Sequence, residues 1–230
     1  MKVFELRIRI YILIDIPLEK IYAAESNFID TALAKDARWL KYHQDNHYKY
    51  YCISGFYPVE KEGTYKKDHL YTITVRTVNL ELAKYLSKVL TEHSTKEIKG
   101  LVVENRIIPK KMIEEIYTLT PVIQKSDQGY WRNVSTLDDF EKQLFGNAVK
   151  KYNQFTGKKL DEEFVWYTGI QFLNKMPVKM NYKGIHLLGD KLNLKIADNK
   201  NAQELTYFLL GTGIGENNTR GGGFCNFRWI

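Results

Sequence analysis

The chain has 230 residues, 44% of them hydrophobic and 27% charged, and its 34 Lys and Arg against 27 Asp and Glu leave a net charge of +7. That describes a globular protein with a basic surface, long enough for one large domain or two of about 100 residues, and it excludes a disulfide scaffold and a disordered polyelectrolyte. Cys52 and Cys225 each lie in an apolar stretch, so both are expected as reduced core residues in a reducing compartment.

The first 17 residues are interrupted by Arg7, Arg9 and Asp15 and hold neither a secretory apolar region nor a membrane-spanning run. A cytoplasmic protein with no membrane partner is expected. Residues 3–14 alternate, with Leu6, Ile8 and Ile10 on one face and Arg7 and Arg9 on the other, which is the period of a half-buried strand. Asp15 followed by Pro17 reads as an N-cap and first-turn proline, opening one long helix to about Leu40. Residues 48–56 and 70–78 read as an antiparallel pair around a lysine-rich connection with Gly63. Asn79 caps a second helix whose Leu82, Leu86 and Leu90 recur every four residues, and 100–108 returns as a strand closed by Pro109.

Strand, helix, strand, strand, helix, strand is the ferredoxin-like order. The second half repeats it: a strand at 113–123, a helix to about Phe155 opened by a Thr136/Asp139 capping box, strands within 164–173 and 178–196, a short helix at 201–210, and a last strand at 224–230. The expectation is an α+β protein of two tandem ferredoxin-like (βαββαβ) domains, 1–110 and 111–230.

Between the last helix and strand, residues 211–224 carry six glycines, which permit positive φ and close approach to another surface. Loops of this kind present main-chain N–H groups to anions. No Lys-Ser/Thr follows the glycines and the helix precedes the loop, so neither a P-loop nor a dinucleotide fingerprint fits. A purely structural loop closing the second sheet is the bland alternative.

Gly213-Ile-Gly215, five residues, then Gly221-Gly-Gly223-Phe224 resembles the glycine-rich signature of the CRISPR repeat-processing endoribonucleases of the Cas-six type, in the RAMP superfamily. Gly222 stands where that family usually has a hydrophobic residue. Leu119-Thr-Pro121 and Leu187-Leu-Gly-Asp190 are also similar to members of the family, and the element order agrees over the whole chain. The resemblance implies metal-independent cleavage of repeat RNA in the precursor transcript to mature guides, by attack of a 2′-hydroxyl on the adjacent phosphate, leaving a 2′,3′-cyclic phosphate and a 5′-hydroxyl. It implies no cofactor and CRISPR repeat RNA as partner. Other subunits of an interference complex and a second copy of the chain stay open as further partners.

Such chemistry asks for a proton acceptor, a proton donor and a cation at the phosphate. The family commonly places a histidine after the first long helix, where this chain has His43 and His47. His43 is the first candidate and His47 the second; Lys49 or Lys41 is expected as the cation, with Tyr42 or Tyr48 orienting the phosphate or stacking a base. Against this stands a simpler role, since a histidine near a helix end often caps the last carbonyls. Expected RNA contacts are Gly213, Gly215, Arg220, Gly221, Gly223 and Arg228, with Lys183 and Lys191 from a lysine-rich region that includes Lys175, Lys179 and Lys195. Lys150-Lys151 is read as a surface pair. His69, His93 and His186 are expected in ordinary surface or core roles, and the spacing of histidines and cysteines does not suit a zinc site. Two rivals are a RAMP-type RNA-holding subunit without cleavage and a small-molecule enzyme on the same fold.

Overall fold

The structure, a computed structural model, describes residues 1–126, 129–182 and 184–230. In β1 (Val3–Ile12) Leu6, Ile8 and Ile10 are fully buried while Arg7 and Arg9 are exposed, as the alternation requires. The next residues depart from expectation. Asp15 accepts the Lys67 amide at 2.7 Å instead of capping a helix, and Pro17 ends a two-residue strand, β2 (Ile16–Pro17). A 3-10 turn (Leu18–Lys20) then leads directly into α1 (Ile21–Leu33), and the helical stretch breaks before α2 (Ala37–Gln44). The break has a local cause: Asp36 accepts the amides of Arg38 and Trp39 at 2.9 and 3.2 Å and so starts a new helix where one long helix was expected.

There follow β3 (Tyr51–Ile53), β4 (Thr64–Tyr65), which pairs with β2, β5 (Leu70–Thr77), α3 (Leu80–Val89) with Asn79 as its N-cap, and β6 (Ile98–Ile108). The sheet order is β3-β5-β1-β6, all antiparallel. Phe28, Ile29 and Ala32 of α1 and Leu82 and Leu86 of α3 bury against its apolar face.

The second half runs β7 (Ile113–Thr118), α4 (Trp131–Val134), α5 (Leu137–Thr156), β8 (Tyr167–Phe172), β9 (Val178–Tyr182), β10 (Ile185–Gly189), β11 (Leu192–Ile196), α6 (Lys200–Thr212) and β12 (Cys225–Trp229). Thr136 and Asp139 form the expected capping box on α5. The order β12-β7-β11-β8, again antiparallel, repeats the topology of the first sheet, so the chain has two ferredoxin-like domains. β9 and β10 are an added hairpin, and Asn181 ties it to the first half through the Glu19 carbonyl at 2.7 Å.

The two sheets are riveted together by charge buried at their junction. Arg76 on β5 donates to Glu5 at 2.7 Å and to Asn226 at 2.9 Å, also reaches the Cys225 carbonyl, and lies over the Phe224 ring at 4.5 Å. Arg106 and Arg7 complete the set around Glu5 at 2.6 and 3.0 Å. Burial alone would raise the Glu5 pKa, but the charge and hydrogen bond of Arg76, with Arg106 and Arg7, outweigh it and hold the carboxyl below its ordinary value. Cys52 and Cys225 are free and buried, and burial pushes their thiols up to about 12 and about 11.

Candidate RNA-processing site

The glycine-rich loop is folded against its own backbone. Gly213, Gly215, Gly221 and Gly223 all have positive φ and all are buried. A Cβ on Gly223 would lie 1.8 Å from the Ile214 carbonyl oxygen, and one on Gly221 2.5 Å from the Tyr22 ring. The amides of Gly213, Ile214, Glu216, Arg220, Gly221, Gly222 and Gly223 donate to carbonyls of the chain itself. This corrects the expectation of a loop offering amides to an anion. The glycines shape the loop, and the stretch left partly exposed is 216–220.

Lys151 supports the loop from beneath. Far from joining Lys150 at the surface, it is buried and donates to the carbonyls of Gly213 and Gly215 at 3.0 Å and to Asn218 Oδ1 at 2.7 Å. Burial lowers its pKa to about 8.

The outer turn of the loop, Asn218–Arg220, packs against α1 and β3 and carries Arg220 onto the Asp30 carboxylate. The other oxygen of Asp30 lies 3.4 Å from His43 Nδ1. One carboxylate on α1 therefore joins the candidate histidine of the first half to the glycine loop of the second. His43 does not cap its helix; that role falls to Lys49, whose ammonium donates to the Tyr42 and Asp45 carbonyls while the Tyr42 hydroxyl donates back to the Lys49 carbonyl. Lys49 is thus committed to the helix end and Lys41 is exposed, so the cation drawn in beside His43 is Arg220. Tyr42 is partly buried, and that desolvation raises its pKa; His47 packs edge-on to its ring at 4.9 Å. Burial, then the Lys49 charge, lowers the His47 pKa.

Between the open face of the first sheet and the second half lies a cleft of about 1770 Å³, lined among others by Arg7, Arg9, Lys179, His186 and Lys191. Of the two lysines expected to contact RNA, Lys191 lines this cleft, while Lys183 lies outside the described residues. Arg228 is exposed and paired with Glu115 at 3.2 Å. Sequence reasoning did not single out Arg7 and Arg9, which line this cleft, although the alternation that buries Leu6 and Ile8 already places both on the opposite face. It also missed Asp30, for which no local signal exists. Asp190 of the Leu-Leu-Gly-Asp segment is fully buried and accepts from Tyr130, Trp131, Arg132 and Asn174 at 2.7–2.8 Å, a structural anchor. His93 is buried and bonded to Thr31 at 2.9 Å. Among the described residues no three His, Cys, Asp or Glu side chains come together to hold a metal ion, and no helix is long and apolar enough to cross a membrane.

Comparison with known proteins bears on this arrangement. Residues 102–227 match the family model described as CRISPR associated protein Cas6, C-terminal. The chain is 26% identical over 215 residues to the CRISPR-associated endoribonuclease Cas6 2 of Methanocaldococcus jannaschii, spanning 85% of this chain and 87% of that one. Its fold is similar to a solved CRISPR associated protein Cas6 (TM-score 0.70, 20% identity, 98% and 99% of the two chains). It is also similar to a structure described as an RAMP protein binding different RNA substrates (TM-score 0.73, 15% identity, 98% and 99%).

Proposed function

Since this chain belongs to the CRISPR-associated Cas6 family, we propose that it is an endoribonuclease that binds CRISPR repeat RNA and cuts it in the precursor transcript to give guide RNAs. We divide it at 110/111, the first part carrying the proton-transfer histidines and the second the glycine loop. RNA lies in the cationic cleft along Arg7, Arg9 and Lys191. The observation that carries the reading is the convergence of His43, Asp30 and Arg220 at the edge of the glycine-rich loop.

With Nδ1 turned to Asp30, His43 presents Nε2 for proton exchange with RNA. The 2′-hydroxyl loses its proton as its oxygen attacks phosphorus, the bond to the 5′-oxygen breaks, and that oxygen takes a proton, leaving a 2′,3′-cyclic phosphate and a 5′-hydroxyl. His47 is the second imidazole on this segment and Arg220 the cation beside the reacting phosphate. Lys49 and Tyr42 act by fixing the helix end that carries His43. No step requires a metal, and the protein works in the cytoplasm.

The test is purified protein on a repeat RNA in excess chelator. Cleavage to a cyclic-phosphate end, blocked by a single 2′-deoxy substitution at the cut, is the expected result. Binding with no cleavage would favour the second reading, an RNA-holding subunit, which the likeness to an RAMP protein binding different RNA substrates supports.

A further inference from the structure

Lys151 is 2% exposed, and its ammonium matches three N–H groups to three oxygens, the Gly213 and Gly215 carbonyls at 3.0 Å and Asn218 Oδ1 at 2.7 Å. It is saturated and has no donor left for a phosphate. None of these acceptors is a carboxylate, and Glu216, whose charge also acts on Lys151, is paired with Lys125 at 3.7 Å. A buried cation held by neutral oxygens carries a desolvation cost that an apolar side chain in the same place would not. Stability alone therefore does not account for a lysine here.

What its three bonds fix is the shape of the loop. Gly213 and Gly215 belong to the incoming arm, and Asn218 joins the two arms: its Nδ2 donates to the Ile214 carbonyl at 2.9 Å on one and to the Gly222 carbonyl at 3.0 Å on the other. This side chain fills its place closely, since a Cβ on Gly213 would meet Asn218 Nδ2 at 2.6 Å. Asn218 opens the turn that ends in Arg220, and no residue of that turn is buried. The turn adds no side chain to an apolar core, so the polar ties of Asn218 and Lys151 weigh heavily in where it stands. At its end Arg220 meets Asp30, whose other oxygen lies 3.4 Å from His43 Nδ1.

We propose that Lys151 and Asn218 are positioning residues for the cleavage: acting through the turn, they hold Arg220 where it pairs with Asp30 beside His43, and they do so without touching RNA. The proposal rests on the reading of the chain as a repeat-RNA endoribonuclease. It makes a helix of the second half set the geometry of a site whose histidine belongs to the first.

The test is single-turnover cleavage and RNA Kd for Lys151→Met and Asn218→Ala, each with Arg220 present and in an Arg220→Gln background. With Arg220 present, each variant should slow cleavage by about 10- to 100-fold, the scale of a misplaced reacting geometry, with little change in Kd. In the Arg220→Gln background neither should lose anything further, because the group they position is gone. Full rates in both variants, or the same loss with Arg220 present and absent, overturn the inference and leave the functional reading standing. A Kd weakened by as much as the rate does the same, since it marks both residues as scaffolding for binding. Asn218→Ala removes a half-buried side chain and decides the matter where Lys151→Met does not fold. Failure of Asn218→Ala to fold also counts against the inference, because the side chain would then serve stability. A parent protein that cuts no repeat RNA overturns the functional reading and the inference with it.

Discussion

Replacing Gly223 by alanine isolates what the glycine-rich loop does. Its φ is +62°, where an L residue is strained by roughly 1–3 kcal/mol. The new Cβ would meet the Ile214 oxygen at 1.8 Å and must move by more than an ångström, disturbing Ile214 N–H to Gly223 O (2.9 Å) and Gly223 N–H to Pro121 O (2.8 Å). Those two bonds add roughly 0.5–1.5 kcal/mol each, so Gly223→Ala should destabilise the protein by about 2–6 kcal/mol with no RNA present. Gly146 is the control: it lies within α5 with nothing within 4 Å of the place a Cβ would take, and Gly146→Ala should stabilise by about 0.5–1 kcal/mol. Urea melts of the two variants measure both changes. A Gly223→Ala protein as stable as its parent, but poor in RNA binding, would refute the structural reading and restore the glycines as contacts.

Three further outcomes follow. Glu5 has its folded pKa below the ordinary 4.5, so the stability it contributes is full above that value and is lost as pH falls through the folded pKa. Glu5→Gln should cost about 3–5 kcal/mol at pH 7, by leaving Arg76 buried and unpaired, and the gap to the parent in urea melts should narrow near pH 3; a constant gap would contradict this. Asp30→Asn should slow single-turnover cleavage by about tenfold or more with little change in RNA Kd, and an unchanged rate would remove Asp30 as the group positioning His43. Arg9→Gln should flatten the plot of log affinity against log salt by about 0.7, and an unaltered slope would take Arg9 out of the RNA path.

Where a single period governs a segment, as in β1 or α3, residue pattern and structure agree, because burial of one face is decided locally. Asp15 and Pro17 misled because a carboxylate before a proline serves a turn with Lys67 as well as a helix start. Asp36 was hidden inside a helical run of alanines, yet its cap ends one helix and starts the next. Lys151 was misread as a surface residue: it shares the face of α5 that carries Leu144 and Ala148, but what keeps it inside is the set of acceptors that the distant glycine loop offers it, Gly213, Gly215 and Asn218. His43 was singled out by family resemblance, from its place beyond the expected long helix, and lies instead in the last turn of α2; its neighbours Asp30 and Arg220 were not foreseen. Asp30 lies on another helix and Arg220 near the opposite end of the chain, and only the packing of the loop turn against α1 and β3 unites them.

Single-turnover cleavage of a repeat RNA by His43→Ala, in excess chelator and with RNA affinity measured alongside, tests the central claim most directly. The account predicts a rate reduced by about 100-fold or more at near-normal affinity, while the parent stays active without metal. Equal rates for variant and parent, or a parent silenced by the chelator, would contradict it.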